Sequence, residues 1–264
     1  MEHLLEAILL GIIQGIAEWL PISSTGHLRL TEYFLNLQVP ILYDVTLHIG
    51  TLIVIFLFFR KDIKQILSDF LNQGHRSEDG KLVPLIIVGT IPTALIGLAF
   101  SDLIESAFCT PLPIATVLLI CGILLYSSKF STEETDNITY KAALIFGTAQ
   151  GIAIIPGLSR SGTTIAVALL LGLKRQKAFR FSFLLSVPAI IGALGLTLVK
   201  QHSALAEAGF GWTEIAAGAI VAMVVGHFVL KLLWRSLEKG RFHLFAVYCW
   251  LLGAALIALS LRGF

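Results

Sequence analysis

Apolar runs of membrane-span length recur along almost the whole chain, at residues 41–59, 82–100, 112–127, 179–199, 212–233 and 243–262. A helix needs about 20 such residues to cross the hydrocarbon core, and 112–127 is the shortest of the six. Two further apolar regions, 4–37 and 142–173, behave differently, because proline and a cluster of serine, threonine and glycine break each near its middle. Their halves, about 15 residues each, are too short to cross alone. The pattern predicts an all-α polytopic membrane protein with six transmembrane helices plus two re-entrant helix-loop-helix segments.

The basic residues orient these elements. Arg60, Lys61, Lys64, Arg76 and Lys81 join the first two spans, Lys174, Arg175, Lys177 and Arg180 precede the fourth, and Lys231, Arg235, Lys239 and Arg241 join the last two. Such connections stay on the cytoplasmic side. The connections at 101–111, with Asp102 and Glu105, and at 201–211 carry no lysine or arginine in their interior and are expected outside. With Lys141 and Lys174 on one side, residues 142–173 must enter the membrane and return. Irregular backbone at that depth is tolerated only inside protein or along a wet cavity.

Composition supports this class. The 264 residues are 56% hydrophobic and 14% charged, with a mean hydropathy of +0.85, whereas a soluble domain carries about 25% charged residues. No polar domain interrupts the pattern, so residues 1–264 are expected to form a single integral membrane domain. Nucleic acid is not an expected partner, since no basic face with interleaved aromatics accompanies the net charge of +2. Cys109, Cys121 and Cys249 lack C-x-x-C spacing and predict no disulfide framework. The N-terminus opens Met1-Glu2-His3 and carries Glu6, without the basic region of a signal peptide, so it is expected to be retained.

The two broken regions align without a gap at an offset of 136 residues. Gly11-Ile12-Ile13-Gln14-Gly15-Ile16-Ala17 meets Gly147-Thr148-Ala149-Gln150-Gly151-Ile152-Ala153, Ser23 meets Ser159, and Gly26 meets Gly162. This is an internal repeat, with units beginning near residues 4 and 140. An odd number of spans separates them, so the repeat is expected to be inverted, with its broken segments together near the membrane midplane. The copies have diverged. Glu18 aligns with Ile154, Ser24 with Arg160 and His27 with Thr163, so one unit carries carboxylate and imidazole and the other carries the cation.

That division implies one composite site. Arg160 lies in Pro156-Gly157-Leu158-Ser159-Arg160-Ser161-Gly162-Thr163-Thr164, and a charge at the centre of a membrane helix costs about 2.5–3.5 kcal/mol on insertion scales, which marks it as functional by default. Its guanidinium, the hydroxyls of Ser159, Ser161 and Thr164, and backbone N–H groups freed by the proline suit a phosphate. In the first unit Gln14 and Glu18 share a helix face one turn before Pro21-Ile22-Ser23-Ser24-Thr25-Gly26-His27. Glu18 supplies a general base or metal ligand, the hydroxyls of Ser23, Ser24 and Thr25 a possible nucleophile or phosphate contact, and His27 a proton shuttle, with Gln14 in support of Glu18. Alone, each serine is better read as a helix cap or packing contact, and Glu18 with Arg160 as a structural ion pair; the constellation outweighs its parts. Asp44 reads first as a helix N-terminal residue, and His48, one turn on, as structural or as lining an entrance.

Gln14-x-x-x-Glu18, Pro-x-Ser-Ser-Thr-Gly-His and Pro-Gly-x-Ser-Arg-Ser-Gly-x-Thr together resemble the signatures of the bacterial undecaprenyl-diphosphate phosphatases, the bacitracin-resistance family, over essentially the full chain. The resemblance implies hydrolysis of a membrane-borne polyprenyl diphosphate to the monophosphate carrier of peptidoglycan synthesis, in the bacterial cytoplasmic membrane, with the site opening to the outer face. It carries roles onto Glu18, Ser23, Ser24, His27, Ser159, Arg160 and Thr164, and it alone implies a divalent cation, Mg2+ or Ca2+, with Glu18 as its candidate ligand. A homodimer and the choice between Ser24 and an activated water as nucleophile stay open. Inverted repeats around a midplane site also suit alternating access, so a polyprenyl-phosphate flippase is the competing expectation.

Overall fold

The computed structural model describes residues 2–201 and 211–262. The expected outward connection at 201–211 therefore lies almost wholly outside the described residues. The described chain is helical, without a named strand: α1 (Glu2–Ala17), α2 (Ser24–Leu35), α3 (Ile41–Phe58), α4 (Arg60–Gln73), α5 (Leu82–Ala107), α6 (Pro111–Ser127), α7 (Tyr140–Ile152), α8 (Arg160–Leu170), α9 (Arg175–Gln201), α10 (Trp212–Glu238) and α11 (Phe245–Ser260). Five of these, α5, α6, α9, α10 and α11, are long and apolar enough to cross a membrane, and the bent pair α3–α4 makes a sixth.

Two differences from the hydropathy reading have local causes. The basic connection after residue 59 folds into α4, because Ile63, Ile66, Leu67 and Phe70 recur at helical spacing among its charges; α4 turns 69° away from α3. Helix α5 runs to Ala107 and α9 starts at Arg175, beyond their apolar stretches. Hydropathy marks the part of a helix that suits lipid, whereas the backbone ladder continues until its own bonds end.

Helix α1 packs on α10 and α7 on α5, while α3 packs on α9 and α6 on α11. Exchanging helices according to the 136-residue alignment turns each of these pairings into another of them or into itself. Close approach depends on small residues, as is usual between apolar helices. A Cβ on Gly147 would stand 1.8 Å from the Gly89 carbonyl oxygen, so α5 and α7 cross backbone to backbone there.

Ion pairs gather the basic connections at one end. Lys177 meets Glu78 at 2.5 Å, Arg180 meets Asp79 at 2.6 Å, Lys174 meets Asp136 at 2.5 Å and Arg175 meets Glu133 at 2.9 Å. The acidic tract at 133–136 is thus tied to the start of α9. At the opposite ends of α5 and α9, Lys200 meets Asp102 at 2.9 Å. Exposed pairs of this kind add only about 0–1 kcal/mol each, so they fix register more than stability. Between the ends lies an aromatic core, in which Phe183 contacts Trp19 at 5.4 Å and Phe179 at 4.6 Å between ring centroids.

Candidate active site

Both broken segments stop, turn and restart where their sequences place proline and serine. In the first, α1 ends at Ala17 and α2 begins at Ser24, with Ser23 as the cap whose Oγ accepts the Gly26 N–H at 3.2 Å. In the second, α7 ends at Ile152 and α8 begins at Arg160, with Ser159 as the cap whose Oγ accepts the Gly162 N–H at 3.1 Å. The repeat alignment is therefore also a correspondence of caps. The two loops interlock, because Ser23 Oγ accepts a second bond from the Gly157 N–H at 2.9 Å. Gly157 has φ +102°, and a Cβ there would stand 2.7 Å from the Ile114 carbonyl oxygen, so glycine is required for both conformation and space.

Interlocking brings Glu18 and Arg160 together. Arg160 Nη2 donates to Glu18 Oε1 at 2.5 Å. Ser24 Oγ donates to Glu18 Oε2 at 2.7 Å, and Gln14 Nε2 reaches the same oxygen at 3.2 Å. The carboxylate is only 6% exposed, so its charge depends on these partners; removing one side of such a pair costs about 3–5 kcal/mol. The Arg160 guanidinium also lies 5.9 Å from the Phe183 ring centroid, within cation–π range. Its Nη1 is buried and has no protein hydrogen-bond partner. A donor spared in this way can serve an anion once the guanidinium moves.

A histidine completes the cluster, but it is His48. Gln14 Nε2 lies 2.9 Å from His48 Nδ1, and that nitrogen is 3.5 Å from Glu18 Oε2. Because the amide nitrogen faces the Glu18 carboxylate, His48 Nδ1 acts as acceptor and the ring proton belongs on Nε2. His27 points elsewhere. Its Nδ1 pairs with the Ser23 carbonyl at 2.8 Å and its Nε2 with the Tyr248 hydroxyl at 2.7 Å, and it does not line the cavity beside Glu18. The signal for His48 in the sequence was its position one turn after Asp44 at the start of a span, which gave an entrance residue but not its contact with Gln14.

The cavity beside this cluster has a volume of about 530 Å³ and takes Glu18, Ser24, Thr25, His48, Ser159 and Arg160 into its wall. Gln14 stands behind Glu18, fully buried. Ser23, Ser161 and Thr164 are turned away from the cavity. Ser161 Oγ donates to the Trp19 carbonyl at 3.3 Å, and Thr164 Oγ1 donates to the Arg160 carbonyl at 2.8 Å while touching Ser182 Oγ. In the structure these hydroxyls hold the loops and the start of α8. Two helix N-termini, those of α2 and α8, meet at the wall, which adds positive dipole ends to the guanidinium.

The donor set does not fit a resident divalent cation. Both Glu18 oxygens are taken by protein donors, and among the described residues no group of three or more His, Cys, Asp or Glu is placed to hold a metal.

The fold and this site define a polytopic helical membrane protein whose two broken helix pairs join a carboxylate–hydroxyl cluster to an arginine at the head of an apolar cavity. Residues 7–255 match the family model described as bacitracin resistance protein BacA, and the chain belongs to that family. It is 41% identical to the undecaprenyl-diphosphatase of Methanosphaera stadtmanae, over 98% of this chain and 99% of that protein. The undecaprenyl-diphosphatase of Halothermothrix orenii is 42% identical over 98% of each chain, and that of Korarchaeum cryptofilum 39% identical over 96% of this chain and 98% of the relative.

Proposed function

We propose that this protein hydrolyses undecaprenyl diphosphate to undecaprenyl phosphate and inorganic phosphate, returning the lipid carrier to peptidoglycan synthesis and conferring bacitracin resistance. The observation that carries the reading is the grip of Ser24 Oγ and Arg160 Nη2 on the two oxygens of Glu18, in a chain of this family. A nucleophile, a base and an anion-binding cation share one wall. A carrier of the phosphate alone needs the cation and donors but gains nothing from a carboxylate beside its anion, which favours hydrolysis over the flippase reading.

In the mechanism we propose, the diphosphate takes Arg160 from Glu18, with Nη1 as the first free donor. Release of the guanidinium leaves Glu18 to accept the Ser24 proton. Ser24 Oγ then bonds to the terminal phosphorus as the bridging P–O bond breaks, and the monophosphate lipid departs. Arg160 and the two helix N-termini offset the charge on the transferring group, the main contribution of a protein to phosphoryl transfer. Glu18 gives the Ser24 proton to the departing monophosphate and is a carboxylate again; it next draws a proton from water, which attacks the phosphoserine, and returns that proton to the Ser24 oxygen as it leaves and inorganic phosphate is released.

The proposal places the chain in the bacterial cytoplasmic membrane, as one integral domain built on an inverted repeat with re-entrant broken segments. The end gathering Lys174, Arg175, Lys177 and Arg180 faces the cytoplasm and the cavity opens outward, in keeping with the rule for basic connections. The test is phosphate release from undecaprenyl diphosphate by the purified protein, with Glu18→Ala and Arg160→Ala beside it. Loss of activity in both variants supports one composite hydrolytic site. Lipid binding without hydrolysis by the unaltered protein overturns it in favour of transport.

A further inference from the structure

Among the described residues the cavity wall takes in four Asp, Glu, Lys or Arg side chains: Glu18 and Arg160 at the catalytic cluster, and Arg29 and Glu105 beyond it. Arg29 belongs to α2, one turn after Thr25, and residues four apart share a helix face, so both look into the cavity. Long side chains on a helix lean back toward its N-terminus, which carries the Arg29 guanidinium toward Thr25 and Ser24. In the 136-residue alignment Arg29 meets Ile165, which is fully buried. The copies thus diverge at Arg29 as they do at Glu18 and Ser24, the positions that make the catalytic cluster.

The surroundings of Arg29 leave its donors unspent. Its Nη1 lies 3.9 Å from Glu32 Oε2, and no shorter protein acceptor is found for it among the described residues; that separation is beyond hydrogen-bond length. Glu32 is buried and does not line the cavity, so it balances the Arg29 charge from behind without engaging the donors. Helix α2 carries no acidic residue in its first turn, and the positive end of its dipole therefore adds to the cation. Glu105, on the same wall, is exposed, where water and salt screen its repulsion of an anion.

A diphosphate needs more positive charge than the catalytic cluster spares. One phosphate alone brings about −1.5 to −2 charges at neutral pH, whereas Arg160 carries a single positive charge and faces Glu18 at 2.5 Å. We propose that Arg29 is a second phosphate-binding residue of the site, sharing the diphosphate with Arg160 and favouring diphosphates over monophosphates. The inference rests on the hydrolase reading for the identity of the anion. Ser24 and Arg29 stand about 7.5 Å apart along the helix axis, a span that the backward lean of an arginine side chain covers toward two linked phosphates. Because Arg29 has no protein hydrogen bond to give up, engaging an anion displaces only water from it.

The experiment measures, by calorimetry in a nonionic detergent, the affinity of the full-length protein for the methylene-bridged, non-hydrolysable analogue of farnesyl diphosphate and for farnesyl monophosphate. Arg29→Gln is expected to weaken binding of the diphosphate analogue by about tenfold or more, the scale of a charge-assisted hydrogen bond, and that of the monophosphate by less, so that the preference between them narrows. Arg29→Lys should stay within about threefold of the parent, since a point charge serves here. Lys200→Gln removes a cation that pairs with Asp102 off the cavity wall and should leave both affinities unchanged. No binding of the analogue, an unaltered preference, equal loss on both ligands, a like loss in Lys200→Gln, or a lysine variant as weak as the glutamine one overturns the subsite. Phosphatidylglycerol added to the micelles tests the other source of phosphate: a difference between parent and Arg29→Gln that then disappears assigns the guanidinium to the bilayer headgroup and overturns it. None of these readings depends on turnover, so an Arg29-dependent preference supports the subsite even if no hydrolysis is found. Where undecaprenyl diphosphate is hydrolysed, the loss should appear in KM with kcat within about twofold of the parent; an unchanged KM overturns the subsite and leaves the hydrolase reading standing.

Discussion

Ser24 and Arg160, which occupy matching positions 136 residues apart in the two copies of the repeat, bind opposite oxygens of the Glu18 carboxylate, Ser24 at 2.7 Å and Arg160 at 2.5 Å. The aligned positions have diverged into a hydroxyl and a cation that work on one group. Neither copy holds both.

Ser23 and Ser24 are neighbours with opposite tasks, and alanine separates them. Ser24→Ala is expected to lose about 10²-fold or more in kcat while its melting temperature stays close to that of the parent. Ser23→Ala removes the acceptor of two backbone N–H groups and should destabilise the fold by about 1–2 kcal/mol, visible as a lower melting temperature. A stable Ser23→Ala protein with selective loss of turnover would place that hydroxyl on the substrate instead.

Arg160→Lys keeps the charge and discards the planar fork. One ammonium cannot hold Glu18, face Phe183 and keep a spare donor together. We expect a loss of about 10²-fold or more in kcat/KM, the scale of one oxyanion donor, measured by phosphate release. Turnover within threefold of the parent would remove the two-point clamp from the mechanism.

Glu18→Gln is nearly isosteric and should bind the lipid but turn it over about 10²–10⁴-fold more slowly, the contribution of a positioned base. Calorimetry with a non-hydrolysable diphosphate reads the first property and phosphate release the second. Equal loss of both would make Glu18 a structural partner of Arg160.

His27 bonds the Ser23 carbonyl and the Tyr248 hydroxyl, so its substitution should be forgiving of chemistry and strict about shape. His27→Asn places a donor where Nδ1 stood and is expected to recover at least about tenfold of what His27→Ala loses. If both variants are equally inactive, the imidazole itself moves a proton.

The substrate-free protein is expected to hold no divalent cation. Mg2+ usually binds through one or two carboxylates plus substrate phosphates, and here Glu18 is already occupied. Titration calorimetry of Mg2+ or Ca2+ into substrate-free protein is expected to show no saturable site. A stoichiometric site that disappears in Glu18→Gln would show that the carboxylate exchanges its protein donors for a cation.

The hydropathy pattern located the spans because lipid demands long apolar stretches, and the Pro-Gly and Pro-x-Ser breaks located both caps because a helix cannot continue through them. The composite site was legible from the divergence of the repeat: a lone Glu18 and a lone Arg160 in apolar surroundings each needed a partner. Hydroxyl direction was not legible. Ser23, Ser161 and Thr164 have the composition of a phosphate cradle, yet the backbone groups they satisfy are set by how the two loops interlock, which no local pattern records. His48 was hidden for a related reason, since its contact with Gln14 spans two segments that meet only in the fold. Helix α4 was masked by its charges, although its apolar positions recur at helical spacing.

The bond from the Gly157 N–H to Ser23 Oγ also imposes an order on biosynthesis. When the first broken segment enters the membrane, the loop it must lock onto has not yet been translated, and Glu18 has no guanidinium to face. The early part of the chain is therefore an unfinished half-site, and docking of the second loop is the step that completes it. Errors in that late docking would leave a membrane protein whose Glu18 has no guanidinium to face.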